Sequence, residues 1–188
     1  MNKIYAAALE FQRFCEERDW PVCIIGGLAV IRWGEPRGTQ DVGVSLLAEL
    51  GKEESSVNEL IGRFQCRTDD PLPFALENRM VLLTASNGVT IDVGLGAFPF
   101  EERMIERSSC FDYLPDVTLR TCSAEDLVIL KAIAGRGRDW SDIEGVAIVQ
   151  RDRFDWPYVE KALSSFSEVF ESEAALVHLA GIRRLAEE

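Results

Sequence analysis

Two runs of strand-forming residues, 80–85 and 89–95, stand either side of Ser86-Asn87-Gly88. An Asn-Gly step between β-rich runs favours the tight turn whose twist matches two antiparallel strands. The spacing therefore predicts a hairpin, and a chain with this hairpin builds at least part of its core on a sheet. Periodicity says what the sheet is combined with. Ile4, Ala7, Ala8, Phe11, Phe14 and Cys15 recur at helical spacing, which predicts an amphipathic opening helix interrupted by Trp20-Pro21. Residues 22–25 read as a short buried strand, Gly26-Gly27 as a turn into a helix, and Gly34 and Pro36 as the end of that helix. Alternation over 41–47 predicts a second strand. Residues 52–64 read as a helix, Pro71-Leu72-Pro73 as a loop, 99–107 as a short helix and 117–121 as a last strand.

Beyond Thr121 the pattern is helical. Ser123 with Asp126 three residues on resembles a capping box, and a helix runs from there to Gly135. Residues 139–149, 156–166 and 171–186 read as further helices. The expected fold class is α+β, a mixed β-sheet flanked by helices over residues 1–121, with a helical C-terminal region over 122–188 packed on it.

The formal net charge of −12 repels phosphate backbones and gives no drive for a broad nucleic-acid footprint. Small molecules, metal ions or a basic protein suit it better, though a local basic patch could still hold RNA. Cys15, Cys23, Cys66, Cys110 and Cys122 are scattered singly and His178 is the one histidine, so neither a zinc site nor a disulfide scaffold is expected. The N-terminus has no signal-peptide pattern, and no apolar run reaches the ~20 residues of a membrane span. A cytoplasmic protein with no membrane partner is expected.

Three segments could carry chemistry. Gly26-Gly27 joins a buried strand to a helix start, where backbone N–H groups can take phosphate oxygens; taken alone it reads first as a tight turn. Arg37-Gly38-Thr39-Gln40-Asp41 follows at short range. Arg37 offers a forked donor to phosphate or carboxylate, Thr39 can orient the loop, and Asp41 opens a strand where its carboxylate is either a metal ligand or a surface charge. Asp92 sits between Ile91 and Val93, on a strand face with Thr90 and Gly94 that is either a site or merely wet.

In this order the three segments resemble the nucleotidyltransferase superfamily with the polymerase-β-like core. The flank Arg37-x-Thr39-x-Asp41 looks like the subgroup of abortive-infection-type toxins and small antibiotic-modifying relatives. The later run Ser123-Ala124-Glu125-Asp126-Leu127, Leu130-Lys131-Ala132 and Arg136-x-Arg138-Asp139-x-x-Asp142 is similar to the helical motif that follows the core there. The resemblance implies transfer of a nucleoside monophosphate from a nucleoside triphosphate to an acceptor hydroxyl, with Mg2+ or Mn2+ held between carboxylates. It makes Asp41 and Asp92 the catalytic and metal-binding residues. It gives nucleotide binding to Gly26, Gly27, Arg37, Thr39 and Lys131. Lys131 is placed so by position only, and the alternative for it is a solvated helix lysine. Arg136, Arg138, Asp139 and Asp142 read better as an ion-pair network between helices than as chemistry.

One departure matters. The resemblance implies a second carboxylate at position 43, where the chain has Gly43. Glu35, Asp70 or Glu77 could replace it, or the chain could be a nucleotide- or protein-binding module that has lost turnover. The acceptor could be a small molecule, a protein side chain or an RNA end. Analogy with the toxin subgroup adds an antitoxin protein as a possible partner. A weaker alternative makes the helical region an interaction surface anchored by Trp140, Trp156 and Tyr158.

Overall fold

The fold was analysed in a computed structural model that describes residues 2–166 and 172–187. The chain divides into two compact units. The first comprises residues 1–28 and 38–122, the second residues 29–37 and 123–188.

The first unit holds the sheet. Its helices are α1 (Lys3–Glu16), α3 (Glu53–Arg63), α4 (Pro71–Asn78) and α5 (Pro99–Arg107); α2 (Gly26–Trp33) begins in it. Its strands are β1 (Val22–Ile25), β2 (Asp41–Leu47), β3 (Gln65–Cys66), β4 (Met80–Thr84), β5 (Thr90–Gly96), β6 (Ser109–Leu114) and β7 (Val117–Thr121). They form one mixed sheet in the order β3-β4-β5-β2-β1-β7-β6. β2 and β5 run parallel, as do β1 and β7, and the other neighbours are antiparallel. The Asn87-Gly88 turn joins β4 to β5 as the spacing predicts, with Gly88 at φ +86°.

Alternation along β2 and β5 separates two faces. Val42, Val44, Leu46, Ile91, Val93 and Leu95 are all buried. α1 packs on β1, β2 and β7, and its Phe11 and Phe14 meet Phe64 with ring centroids 5.6 and 5.3 Å apart. Aromatic contact of this kind adds roughly 0.5–1.5 kcal/mol to area burial. The other face carries Asp41, Gly43 and Ser45 from β2, beside Thr90, Asp92 and Gly94 from β5. It is closed at one end, where Ser45 is buried and the Glu101 side chain of α5 lies over Gly96. It is open at the Asp41 end.

The Pro71-Leu72-Pro73 stretch is not a loop but the first turn of α4. Proline has no N–H to donate, and the first turn of a helix has no partner for one, so Pro71 is well placed there. β3 and β6 were not legible: β3 has two residues, and β6 is a largely exposed edge strand without clean alternation.

The second unit contains the later part of α2, then α6 (Ala124–Ala134), α7 (Gly137–Gln150), α8 (Trp156–Ser165) and α9 (Ser172–Glu187). Ser123 caps α6 by accepting from the Asp126 N–H at 3.1 Å, and Gly135 ends it in the left-handed region at φ +62°. α7 and α8 pack on α6, and α9 on α7. The expected start of the last helix at Glu171 lies outside the described residues. No described helix is long and apolar enough to cross a membrane.

Candidate active site

β1 ends at Ile25 and α2 begins at once with Gly26 and Gly27. Gly26 sits at φ +66°, a conformation that side chains with a Cβ rarely adopt. Gly27 is needed for a different reason. A Cβ there would lie 2.3 Å from Thr39 Oγ1 and 2.7 Å from Thr39 Cβ. Thr39 thus packs directly on the helix start. Its hydroxyl also donates to an Asp41 carboxylate oxygen at 3.0 Å and lies 3.2 Å from the Asp41 carbonyl oxygen. The glycine turn, the Thr39 loop and the first residue of β2 form one contiguous piece.

Register joins that piece to β5. Asp41 pairs with Thr90 and Gly43 with Asp92, so the two aspartates lie on one face, two residues apart along the strands. On the far side of β2, Gly43 pairs with Ile25. On the far side of β5, Asp92 pairs with Leu82 of β4. Arg67, just past β3, donates its backbone N–H to the Leu82 carbonyl at 2.9 Å. One row of the sheet therefore reads Arg67, Leu82, Asp92, Gly43, Ile25.

Arg67 reaches along that row. Its guanidinium donates through Nη2 to Asp92 Oδ1, and its Nε donates to the Leu83 carbonyl at 3.1 Å. The Arg67 and Asp92 side chains are 32% and 40% exposed, so this pair is wet enough to be opened by a ligand. Nothing in the sequence pattern singles out Arg67. A two-residue strand has no periodicity, and only the strand order carries Arg67 towards Asp92.

A divalent cation held by carboxylates needs several hard oxygen donors converging on one point. Here Asp41 and Asp92 offer carboxylates, Gly43 offers nothing, and Arg67 already donates to Asp92. Among the described residues, no group of three or more His, Cys, Asp or Glu side chains is placed to hold a metal ion. Glu35, Asp70 and Glu77 do not complete such a group. The residues present do not fit the three-carboxylate set that the resemblance implies.

Arg37 and Lys131 belong to the second unit. Arg37 makes a forked contact with Asp142, Nε to Oδ1 at 2.5 Å and Nη2 to Oδ2 at 2.7 Å. Lys131 is only 6% exposed, and its ammonium is 2.9 Å from Asp139 Oδ1 and 2.6 Å from Asp142 Oδ2. Arg136 adds a 2.7 Å hydrogen bond to Asp139. Burial pushes both aspartate carboxyls up. Hydrogen bonds from Arg37, Arg136 and Lys131, and their positive charges, outweigh it and hold both below the ordinary carboxylate range. Of the aromatic candidates, Trp156 is buried, Tyr158 donates to Asp126 at 2.7 Å, and Trp140 stacks on His178 with centroids 4.1 Å apart.

All five cysteines are thiols rather than disulfide halves. Cys15, Cys23 and Cys122 are buried, and burial pushes the Cys15 thiol up to about 12.

Comparison with known proteins gives the family and the fold. The family described as "Nucleotidyltransferase of unknown function (DUF6036)" matches residues 3–179. No curated protein matches. Among solved structures, an antigenic nucleotidyltransferase-like protein from Paracoccidioides brasiliensis is similar with a TM-score of 0.59 at 14% identity, covering 96% of this chain and 88% of that one. The antibiotic-resistance factor ANT(2'')-Ia is similar with a TM-score of 0.53 at 19% identity, covering 94% of this chain and 96% of its own. At these identities the likeness is one of fold.

Proposed function

The chain belongs to a nucleotidyltransferase family, and from that premise we propose that it transfers a nucleoside monophosphate from a nucleoside triphosphate to an acceptor hydroxyl. The observation that carries the reading is the register of β2 with β5, which sets Asp41 and Asp92 on one open face beside the Gly26-Gly27 helix start. On this reading the N-terminus of α2 takes phosphate oxygens through its backbone N–H groups. Thr39 holds the Asp41 carboxylate in place. The acceptor oxygen attacks the α-phosphorus, the bond to the β-phosphate oxygen breaks, and pyrophosphate leaves. Asp92 Oδ2 takes the acceptor proton. Magnesium or manganese arrives as counter-ion of the triphosphate, and no step is assigned to a metal resident in the protein. Lys131 and Arg37 are committed to aspartates and are given a structural role. A small hydroxylated acceptor is the first to test, because the ANT(2'')-Ia neighbour is an antibiotic-resistance factor and an acidic chain attracts cationic small molecules better than RNA.

A second reading, nucleotide binding without turnover, is favoured by Gly43. Pyrophosphate release from each ribonucleotide, in the presence of magnesium and a panel of hydroxylated acceptors, separates the two. Under the transfer reading the native chain releases pyrophosphate, and Asp92→Ala lowers the rate by roughly 10²–10⁴-fold, the usual contribution of a positioned base. Release that appears only in Gly43→Asp would establish the binding reading for the native chain. A Cβ at Gly43 would lie 3.3 Å from Ile25 Cγ1, so that variant needs the Ile25 side chain to shift by a few tenths of an ångström. Release by the native chain that survives Asp41→Ala and Asp92→Ala together would discard this face as the site.

A further inference from the structure

The row Arg67, Leu82, Asp92, Gly43, Ile25 has a consequence beyond the position of the two aspartates. A guanidinium reaches across a half-buried leucine to the carboxylate paired with the gap. The gap is the missing side chain of Gly43, which borders the start of α2: a Cβ on Gly26 would lie 4.0 Å from Gly43 Cα. A positive fork, an empty strand position and a helix start therefore adjoin. Phosphate oxygens are what such a set attracts, because a planar guanidinium donates to phosphate in pairs and keeps its charge at every working pH. The same guanidinium excludes a divalent ion from Asp92 while it stays there, since the two cations would compete for the same oxygen.

We infer that Arg67 is the resident cation of this site. It takes the place of a protein-bound divalent ion at Asp92 and turns onto the triphosphate when nucleotide binds over Gly43. The loss of a carboxylate at position 43 and the presence of an arginine on Asp92 are then two halves of one exchange. A site with one fewer negative ligand has gained one fixed positive charge. The assignment of phosphate as the ligand rests on the nucleotide reading above; the exclusion of a divalent ion from Asp92 does not.

Two measurements on the full chain test this. The first is Mn2+ binding without nucleotide, followed by electron paramagnetic resonance. The native chain is expected to take up no Mn2+ at this face. Gly43→Asp with Arg67→Gln is expected to bind Mn2+ at least tenfold more tightly than Gly43→Asp alone, and Asp92→Ala in that double variant is expected to abolish the gain. Equal binding by Gly43→Asp with and without Arg67 would overturn the inference, as would tight Mn2+ binding by the native chain that Asp92→Ala removes. The second is calorimetric titration with ATP and GTP in EDTA. The native chain is expected to bind one of them without metal, Arg67→Gln to bind at least tenfold more weakly, and Arg67→Lys to recover part of the loss. Unchanged affinity in Arg67→Gln overturns the phosphate role. If the native chain binds neither nucleotide, with or without magnesium, the nucleotide reading itself fails, while the Mn2+ result still decides what occupies Asp92. Circular dichroism on each variant confirms that the comparison is between folded chains.

Discussion

The chain carries two clusters of aspartate with basic partners, and they are built to opposite specifications. In the second unit, Lys131, Asp139 and Asp142 have side chains only 8%, 5% and 4% exposed. Each carboxylate meets Lys131 and an arginine, Arg136 for Asp139 and Arg37 for Asp142. In the first unit, the Arg67 and Asp92 side chains are 32% and 40% exposed, and Asp41 is open to solvent. In the buried cluster both carboxylates are taken up by basic partners, an arrangement that can hold helices together. The exposed pair is weak and can be traded for a ligand. Burial sets the role here more than residue type does, because a buried charge that loses its partner is costly and an exposed one is rehydrated.

Breaking the contrast is simplest at Lys131. Lys131→Met leaves two buried carboxylates with one cationic partner each and is expected to cost about 3–5 kcal/mol, read from urea unfolding. Arg67→Gln is expected to stay within about 1 kcal/mol by the same measurement. Similar costs for the two would mean that burial does not separate the clusters.

A smaller effect sharpens the description of the exposed site. Gly27→Ala forces a Cβ against Thr39, 2.7 Å from its Cβ, where no rotation of the Thr39 side chain gives relief. Overpacking of this kind costs about 1–3 kcal/mol. Triphosphate binding should weaken, and Thr39→Gly in the same chain should restore part of it. Unimpaired binding by Gly27→Ala would show that the Thr39 contact does not shape the site.

Acid gives the mildest test. Asp139 and Asp142 sit below the ordinary carboxylate range because their cationic partners outweigh burial. In the unfolded chain they titrate near the usual value of about 4. Their stabilising contribution is therefore complete above that value and is lost as the pH falls through the lower folded-state values. Unfolding followed from pH 6 downwards should show stability falling from about pH 4, more steeply in the native chain than in Lys131→Met. Parallel profiles would remove these aspartates from the acid response.

Much of the fold was legible because it depended on local rules. The hairpin followed from Asn87-Gly88, the start of α6 from Ser123, and the strands β1 and β2 from short apolar and alternating runs. The loop expected at Pro71-Leu72-Pro73 failed for a local reason too: proline breaks helices in their interior and opens them at their start, and only the residues that follow decide which. The candidate site was legible in part. Asp41, Asp92 and the glycine pair are candidates from their neighbours along the chain, and the family resemblance is what singles them out and marks the gap at Gly43.

Their arrangement could not be read that way. By itself the sequence determined the hairpin, most of the longer helices and strands and the turn residues, since each depends on a few adjacent side chains; the missing carboxylate at Gly43 is implied by the family resemblance. Tertiary structure decided that β5 lies beside β2 with Asp92 against Gly43, that Arg67 crosses Leu82 to reach Asp92, and that Lys131 is buried among aspartates. Those are choices of strand order and helix packing among residues far apart in the chain. Apolar periodicity says which face is buried, but not which strand or helix will cover it.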